Sequence, residues 1–228
     1  MDKVVMKNRD QVSFEFCGQS ILIFIILILS GCGTMYYGAM EKLGIHKREI
    51  MVDRVKEARD AQKEAKEQFL TAMEQFKSVV NFHGGDLEEE YNKLNATLQN
   101  SESKAADVHK RIDAVEDVSE ALFEEWRSEI KQYKNETLRQ SSRRKYDTAK
   151  MKYTELISAM KKAESKLEPV LDVLRDQVLF LKHNMNAKAI AGLDEELIYV
   201  QTNVNELVRD MESAIAQADA FISALQPE

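Results

Sequence analysis

The chain has 228 residues, a formal net charge of −7, two cysteines, two prolines and eight glycines. Its acidic balance gives no long-range attraction to nucleic acid, and two thiols cannot build a disulfide framework or a zinc cluster. The scarcity of turn residues excludes a sheet protein of this length; alanine, glutamate, lysine, leucine and glutamine dominate, as in long helices.

The N-terminus opens with a leader in which Lys3, Lys7 and Arg9 are balanced by Asp2, Asp10 and Glu15. An apolar run, Ile21 to Leu29, then closes on Leu29-Ser30-Gly31-Cys32. The run has the length of a signal-peptide core and is too short to cross a bilayer alone. Small residues before the cysteine let the backbone lie extended in a peptidase cleft, and the thiol is the one side chain there nucleophilic enough to be alkylated by a diacylglycerol donor. The stretch resembles a bacterial lipobox. Cleavage between Gly31 and Cys32 and acylation of Cys32 are therefore expected. This divides the chain into a signal peptide at 1–31, a lipidated terminus and tether at 32–46, and a helical domain at 47–228. The alternative is an uncleaved single-span anchor, because Ser20 to Ala39 carries no charge and about 20 residues cross a bilayer. Ser30, Gly31, Gly33, Thr34 and Gly38 dilute the second half of that window, whereas the unbasic leader departs from a typical signal peptide.

From Lys47 to Asn81, Val55, Ala58, Ala65, Phe69, Ala72, Phe76 and Val79 recur at alternating three and four spacings, interrupted by Gln62. The spacing predicts a helix whose alanines permit close backbone approach. His83-Gly84-Gly85 ends it, with Asp86 placed to cap the next helix.

The second stripe runs Leu87, Tyr91, Leu94, Leu98, Ser101, Ala105, Val108, Ile112 and Val115, then shifts to Val118, Leu122, Trp126, Ile130 and Tyr133. The shift has the spacing of a stutter, which locally unwinds a supercoil. Trp126 and Tyr133 read as core. A hairpin turn is expected in Arg139 to Lys145, with Ser141 or Ser142 capping a third helix.

The third stripe is Tyr146, Ala149, Tyr153, Leu156, Met160, Ala163 and Leu167. Pro169 should kink it without ending it, since Val170, Leu174, Val178 and Leu181 resume the pattern. A fourth helix is expected to begin near Leu193, after Gly192, and to bury Leu197, Val200, Val204, Leu207, Met211, Ala214, Ala218, Phe221 and Leu225. Stripes of this length argue for coiled-coil packing, and short breaks make neighbours antiparallel. The expected fold is all-α, an elongated antiparallel helical bundle or pair of coiled-coil hairpins.

Residues suited to catalysis are sparse. His46, His83, His109 and His183 lack metal-ligand spacing. Glu88-Glu89-Glu90, Glu124-Glu125 and Glu195-Glu196 read as solvated helix faces, and Ser141-Ser142 has no histidine nearby in sequence. No enzyme and no cofactor are expected. The basic stretch Arg139, Arg143, Arg144, Lys145, Lys150 and Lys152 has only Asp147 against it, and Arg139, Arg143, Arg144 and Lys145 head it as a candidate patch for an anionic partner, the phosphates of lipopolysaccharide or phospholipid or an acidic protein; a solvated helix terminus is the plainer reading. The mixed charges from Lys47 to Phe69 could lace a surface with ion pairs or dock another coil.

The run Met35-Tyr36-Tyr37-Gly38-Ala39-Met40-Glu41-Lys42-Leu43-Gly44-Ile45-His46-Lys47-Arg48-Glu49, continuing through Val52-Asp53-Arg54-Val55 and Ala58-Arg59-Asp60-Ala61-Gln62 to Ala65-Lys66-Glu67-Gln68-Phe69, resembles a family of uncharacterised bacterial envelope proteins. That family is classed as a domain of unknown function and described as coiled-coil lipoproteins. The resemblance implies no activity. Some members carry a DNA-repair ATPase label, but this chain has no glycine-rich phosphate loop with a lysine, as Gly84-Gly85 is followed by Asp86.

These readings together give a lipid-anchored, non-catalytic scaffold or protein-interaction module. It would meet the membrane through acyl chains on Cys32 and other envelope proteins, or a second copy of itself, through coiled-coil faces. Gly33 after the cysteine, in place of aspartate, resembles the outer-membrane sorting pattern and places the body in the periplasm. A carrier that opens its bundle around a lipid or glycan is the alternative.

Overall fold

The computed structural model describes residues 46–82, 84, 86–184 and 187–225. The chain divides into two units, residues 1–47 and 48–228. The fold is that of the second; the leader, the apolar run and the tether lie outside the described residues apart from His46 and Lys47.

Five helices make four legs of an antiparallel bundle, and no strand occurs among the described residues. Helix α1 (Lys47–Val80) buries the whole of its three-and-four stripe, with Met51 and Met73 added. Gly84 adopts φ +147°, a conformation that side chains with a Cβ rarely take. Asp86 then caps α2 (Leu87–Ile130): its Oδ1 accepts from the amides of Glu88 at 2.9 Å and Glu89 at 3.2 Å. The three glutamates of the first turn complement the positive end of the helix dipole.

The second turn corrects the sequence reading. It falls at Lys131–Asn135, and α3 (Glu136–Glu164) runs through Arg139–Lys145, where a turn was expected. The stop is made by Asn135, whose extended backbone and side chain, accepting from Leu138 N at 3.1 Å, cap the new helix. Tyr133 consequently lies in the turn, exposed, and not in the core. The shift of stripe in α2 also resolves differently: Phe123 takes the buried place, and Leu122 and Trp126 stay half-buried.

The third leg is α3 followed by α4 (Leu167–His183). It is interrupted at Ser165–Lys166, both of which keep right-handed helical backbone. Pro169 has no N–H to offer the Ser165 carbonyl four residues back, so the ladder breaks there while Val170, Leu174, Val178 and Leu181 remain buried along the same leg. The last helix, α5 (Ala187–Leu225), starts before Leu193 and runs through Gly192. Here the glycine's modest cost in a helix is outweighed by a long apolar stripe, of which Leu193, Val200, Val204, Leu207, Met211, Ala214, Ala218 and Phe221 are buried.

Contacts between the legs fix the order α1, α2, α3–α4, α5 around the bundle. The closest backbone approaches join α2 to α3 and α4, and α5 to α3 and α4. Helix α1 buries Ala58, Ala61, Ala65 and Ala72 and is tied to its neighbours by side-chain pairs. Glu57 takes both Arg54 and Arg111 at 2.8 Å, Lys104 reaches Glu64 at 2.6 Å, and Gln68 donates to Thr97 O at 3.2 Å. On the other side Arg59 pairs with Asp219 at 2.8 Å and Lys66 with Glu212 at 3.6 Å. Much of the mixed-charge block of α1 is therefore paired inside its own bundle.

Candidate functional site at the Arg48 end

Antiparallel legs bring the start of α1, the end of α2, the start of α3 and the end of α5 to one end of the bundle. An aromatic cluster joins α2 to α3 there. Phe123 stands edge-on to Tyr146, with centroids 5.7 Å apart, and lies 5.5 Å from Tyr153. Trp126 stands edge-on to Tyr146 at 5.7 Å and donates its Nε1–H to Ser142 Oγ at 3.0 Å. Lys150 Nζ sits 4.5 Å above the Phe123 ring, a favourable cation–π placement. Burial pushes the Tyr153 phenol above its ordinary range.

Two adjoining hollows open beside this cluster. The smaller, of about 220 Å³, is lined by Arg48, Leu122, Trp126 and Leu225 together with the carboxylates Glu125 and Glu129. The larger, of about 410 Å³, shares Trp126, Ala149, Phe221 and Leu225 as apolar lining, and its ionisable lining is entirely cationic: Arg48, Arg144, Lys145 and Lys152. That volume is within the roughly 300–1,000 Å³ of small-molecule sites. A shallower hollow continues the basic surface past Arg139, Arg143 and Arg144 to Ile130.

Among the four residues picked out by sequence, the structure makes a division. Arg139 pairs with Glu136 and Arg143 with Asp147, at 3.4 Å in the latter case, as ordinary pairs along one helix. Arg144 and Lys145 form no ion pair among the described residues and line the larger hollow. Lys152, from the same basic stretch of the sequence, lines this hollow too. Arg48, Phe221 and Leu225 were not picked out as site residues; they come from α1 and α5, and only the antiparallel topology, which the sequence does carry, brings them to the basic stretch of α3. Gly31 and Cys32 lie outside the described residues.

His109 of α2 contacts Glu164 of α3 and lies 3.5 Å from Asp113; the Glu164 carboxylate, helped by Asp113, holds its imidazole above the ordinary value. No group of three or more metal-ligating side chains occurs among the described residues.

The opposite end of the bundle differs in character. Leu179 and Phe180, near the end of α4, are 57% and 42% exposed, and Ile198 and Tyr199, near the start of α5, are 75% and 56% exposed. Among the described residues no helix is long and apolar enough to cross a membrane.

A family model described as Protein of unknown function (DUF2959) matches residues 36–225. The chain belongs to that family. The DUF2959 match begins within the run Met35–Phe69 that carries the resemblance, and it extends over the whole bundle, so the helices past Phe69 are part of the family pattern too. No curated protein matches the chain.

Proposed function

We propose that this DUF2959 chain is a lipoprotein of the bacterial cell envelope, acylated on Cys32, held at the outer membrane and facing the periplasm. There it serves as a non-catalytic scaffold for other proteins. The observation that carries the anchoring is Leu29-Ser30-Gly31-Cys32 behind the apolar run Ile21–Leu29. Several acyl chains on one cysteine hold a protein firmly, where a single chain binds only marginally.

The scaffold role is supported by the body that follows. The 44 residues of α2 extend about 66 Å at 1.5 Å per residue. Its two ends offer different surfaces: basic and half-open at Arg48, apolar at Leu179, Phe180, Ile198 and Tyr199. Large exposed apolar side chains in the last turns of α4 and the first third of α5 suit a protein partner.

Intact mass of the membrane-extracted protein tests the anchor. A mass of residues 32–228 plus acyl chains is expected, and Cys32→Ser should leave an unprocessed precursor. A mass of the full 228 residues would mean that the apolar run stays in place as a span. For the scaffold, a photo-crosslinker at Ile198 should trap a discrete protein adduct in cells that a crosslinker at exposed Glu155 does not. Equal trapping at both sites would remove the role.

A further inference from the structure

We infer that the larger hollow at the Arg48 end is a seat for an anionic phospholipid of the membrane, with its phosphate among Arg48, Arg144, Lys145 and Lys152 and part of an acyl chain against Trp126, Phe221 and Leu225. The inference rests on the anchored reading above and gives that anchored body a second, non-covalent hold on the bilayer.

Three observations carry it. The first is chemical division within one hollow: four cations and no carboxylate line it, together with an apolar wall of an indole, a phenyl ring, a leucine and Ala149. An amphiphile with a negative head and an apolar tail matches both halves. An acidic protein would match the cations and leave the wall unused, and a neutral lipid would do the reverse.

The second is that these cations are unneutralised in a protein that neutralises most others. Arg54, Arg59, Lys104, Arg111, Lys161, Lys166 and Arg175 all sit on carboxylates. By contrast Arg48, Arg144, Lys145 and Lys152 form no ion pair among the described residues, although the chain as a whole carries −7. Cations left clustered within an acidic chain attract anions locally while the net charge opposes non-specific adsorption.

The third is reach. From Cys32 to Arg48 the chain spans at most roughly 58 Å when fully extended, at about 3.6 Å per residue. The acyl chains on Cys32 therefore keep Arg48 within that distance of the bilayer, at high effective concentration for a lipid headgroup. A tryptophan beside cationic side chains is also a combination that settles at membrane interfaces.

The chain contains one tryptophan, and it lines the hollow, so it reports directly on occupancy. Full-length protein in non-ionic detergent would be titrated with phosphatidylglycerol brominated on its acyl chains, and separately with brominated phosphatidylcholine. The expected result is quenching of Trp126 by the anionic lipid at a concentration at least tenfold lower than by the zwitterionic one. The difference should shrink with added salt and vanish in the Arg144→Glu/Lys145→Glu/Lys152→Glu variant. These positions are exposed or half-buried helix sites, so circular dichroism should show an intact fold.

Equal quenching by the two lipids, or quenching that survives in the variant, would overturn the assignment. So would absence of quenching by either, since Trp126 would then be covered by another part of the chain or by a protein. Reversal by inorganic phosphate at millimolar concentration would show that the cations select free phosphate. Displacement by lipopolysaccharide at lower concentration than by unbrominated phosphatidylglycerol would assign the seat to that lipid. Intact mass reports acylation of Cys32 independently, so a failed lipid seat is distinguishable from a failed anchor.

Discussion

Trp126 donates its indole N–H to the hydroxyl of Ser142 at 3.0 Å, bridging α2 and α3 at the lip of the cationic hollow. The bond engages a serine in the second turn of α3, and with the edge-on contact to Tyr146 it fixes the indole plane. Ser142→Ala leaves the N–H to water or to nothing. A hydrogen bond of this kind is worth about 0.5–1.5 kcal/mol, so a modest fall in urea midpoint is expected, with a red shift of the single tryptophan's emission as the ring loosens. An unchanged spectrum would mean that the ring is held by Tyr146 and its apolar neighbours alone.

The interruption of the third leg is pinned by charge. Lys166, in the break, places Nζ 2.9 Å from Glu206 and 3.0 Å from Oδ2 of Asp210, and Lys162 reaches the other Asp210 oxygen at 2.8 Å. Burial acts to raise the Asp210 carboxyl, but the two lysines outweigh it and hold it below its ordinary 3.8. A carboxylate lowered in the folded state stabilises fully above the unfolded value, and that contribution is lost as pH falls through the folded one. Asp210→Asn should therefore cost about 1 kcal/mol or less at neutral pH, because Lys166 keeps Glu206 and Lys162 is largely exposed and screened. Denaturant midpoints for the two proteins should converge as pH drops below about 4. A constant gap across the pH range would place the effect in packing instead of charge.

His109 carries the opposite sign. Its imidazole is raised above 6.5 by the bond to Glu164, then by Asp113, with Lys161 opposing. A group raised in the folded state contributes fully below the unfolded value and loses that contribution as pH rises through the folded one. The pair is solvent-exposed and screened, so the stability effect is small. The titration itself is the better readout. Glu164→Gln should lower the His109 pKa measured by NMR, and an unmoved pKa would remove the pairing of α2 with α3 at this point.

Much of this architecture was written in periodicity. Every stripe residue assigned to α1 is buried, and Asp86 caps α2 as its chemistry required, because both signals are local. The errors have physical causes of the same kind. The turn at Lys131–Asn135 lacks glycine and proline and is made by one asparagine, whereas Arg139–Lys145 looks like a turn only through its polarity. Gly192 is tolerated inside α5 because a long buried stripe compensates for one weak residue. The candidate site was half legible: Arg144, Lys145 and Lys152 stand out in a basic stretch with only Asp147 against it. Their selection over Arg139 and Arg143, which have carboxylates one helical turn away, and their union with Arg48 and Phe221, are properties of the assembled bundle.

Gln62 is the one break in the α1 stripe, and it is also the least satisfied residue in the core. It is 0% exposed, and neither Oε1 nor Nε2 has a hydrogen-bond partner among the described residues. A buried amide without partners costs about 1–3 kcal/mol relative to a satisfied one, and an apolar side chain of similar volume removes that cost while keeping the space filled. Gln62→Met is therefore expected to raise the unfolding midpoint and leave the helical signal unchanged. Gln62→Ala should lower it, since a cavity adds its own penalty. If Met proves destabilising as well, the amide must be satisfied in solution by a buried water, and the core at this layer is wetter than its neighbours Ala58, Ala61 and Ala65 suggest.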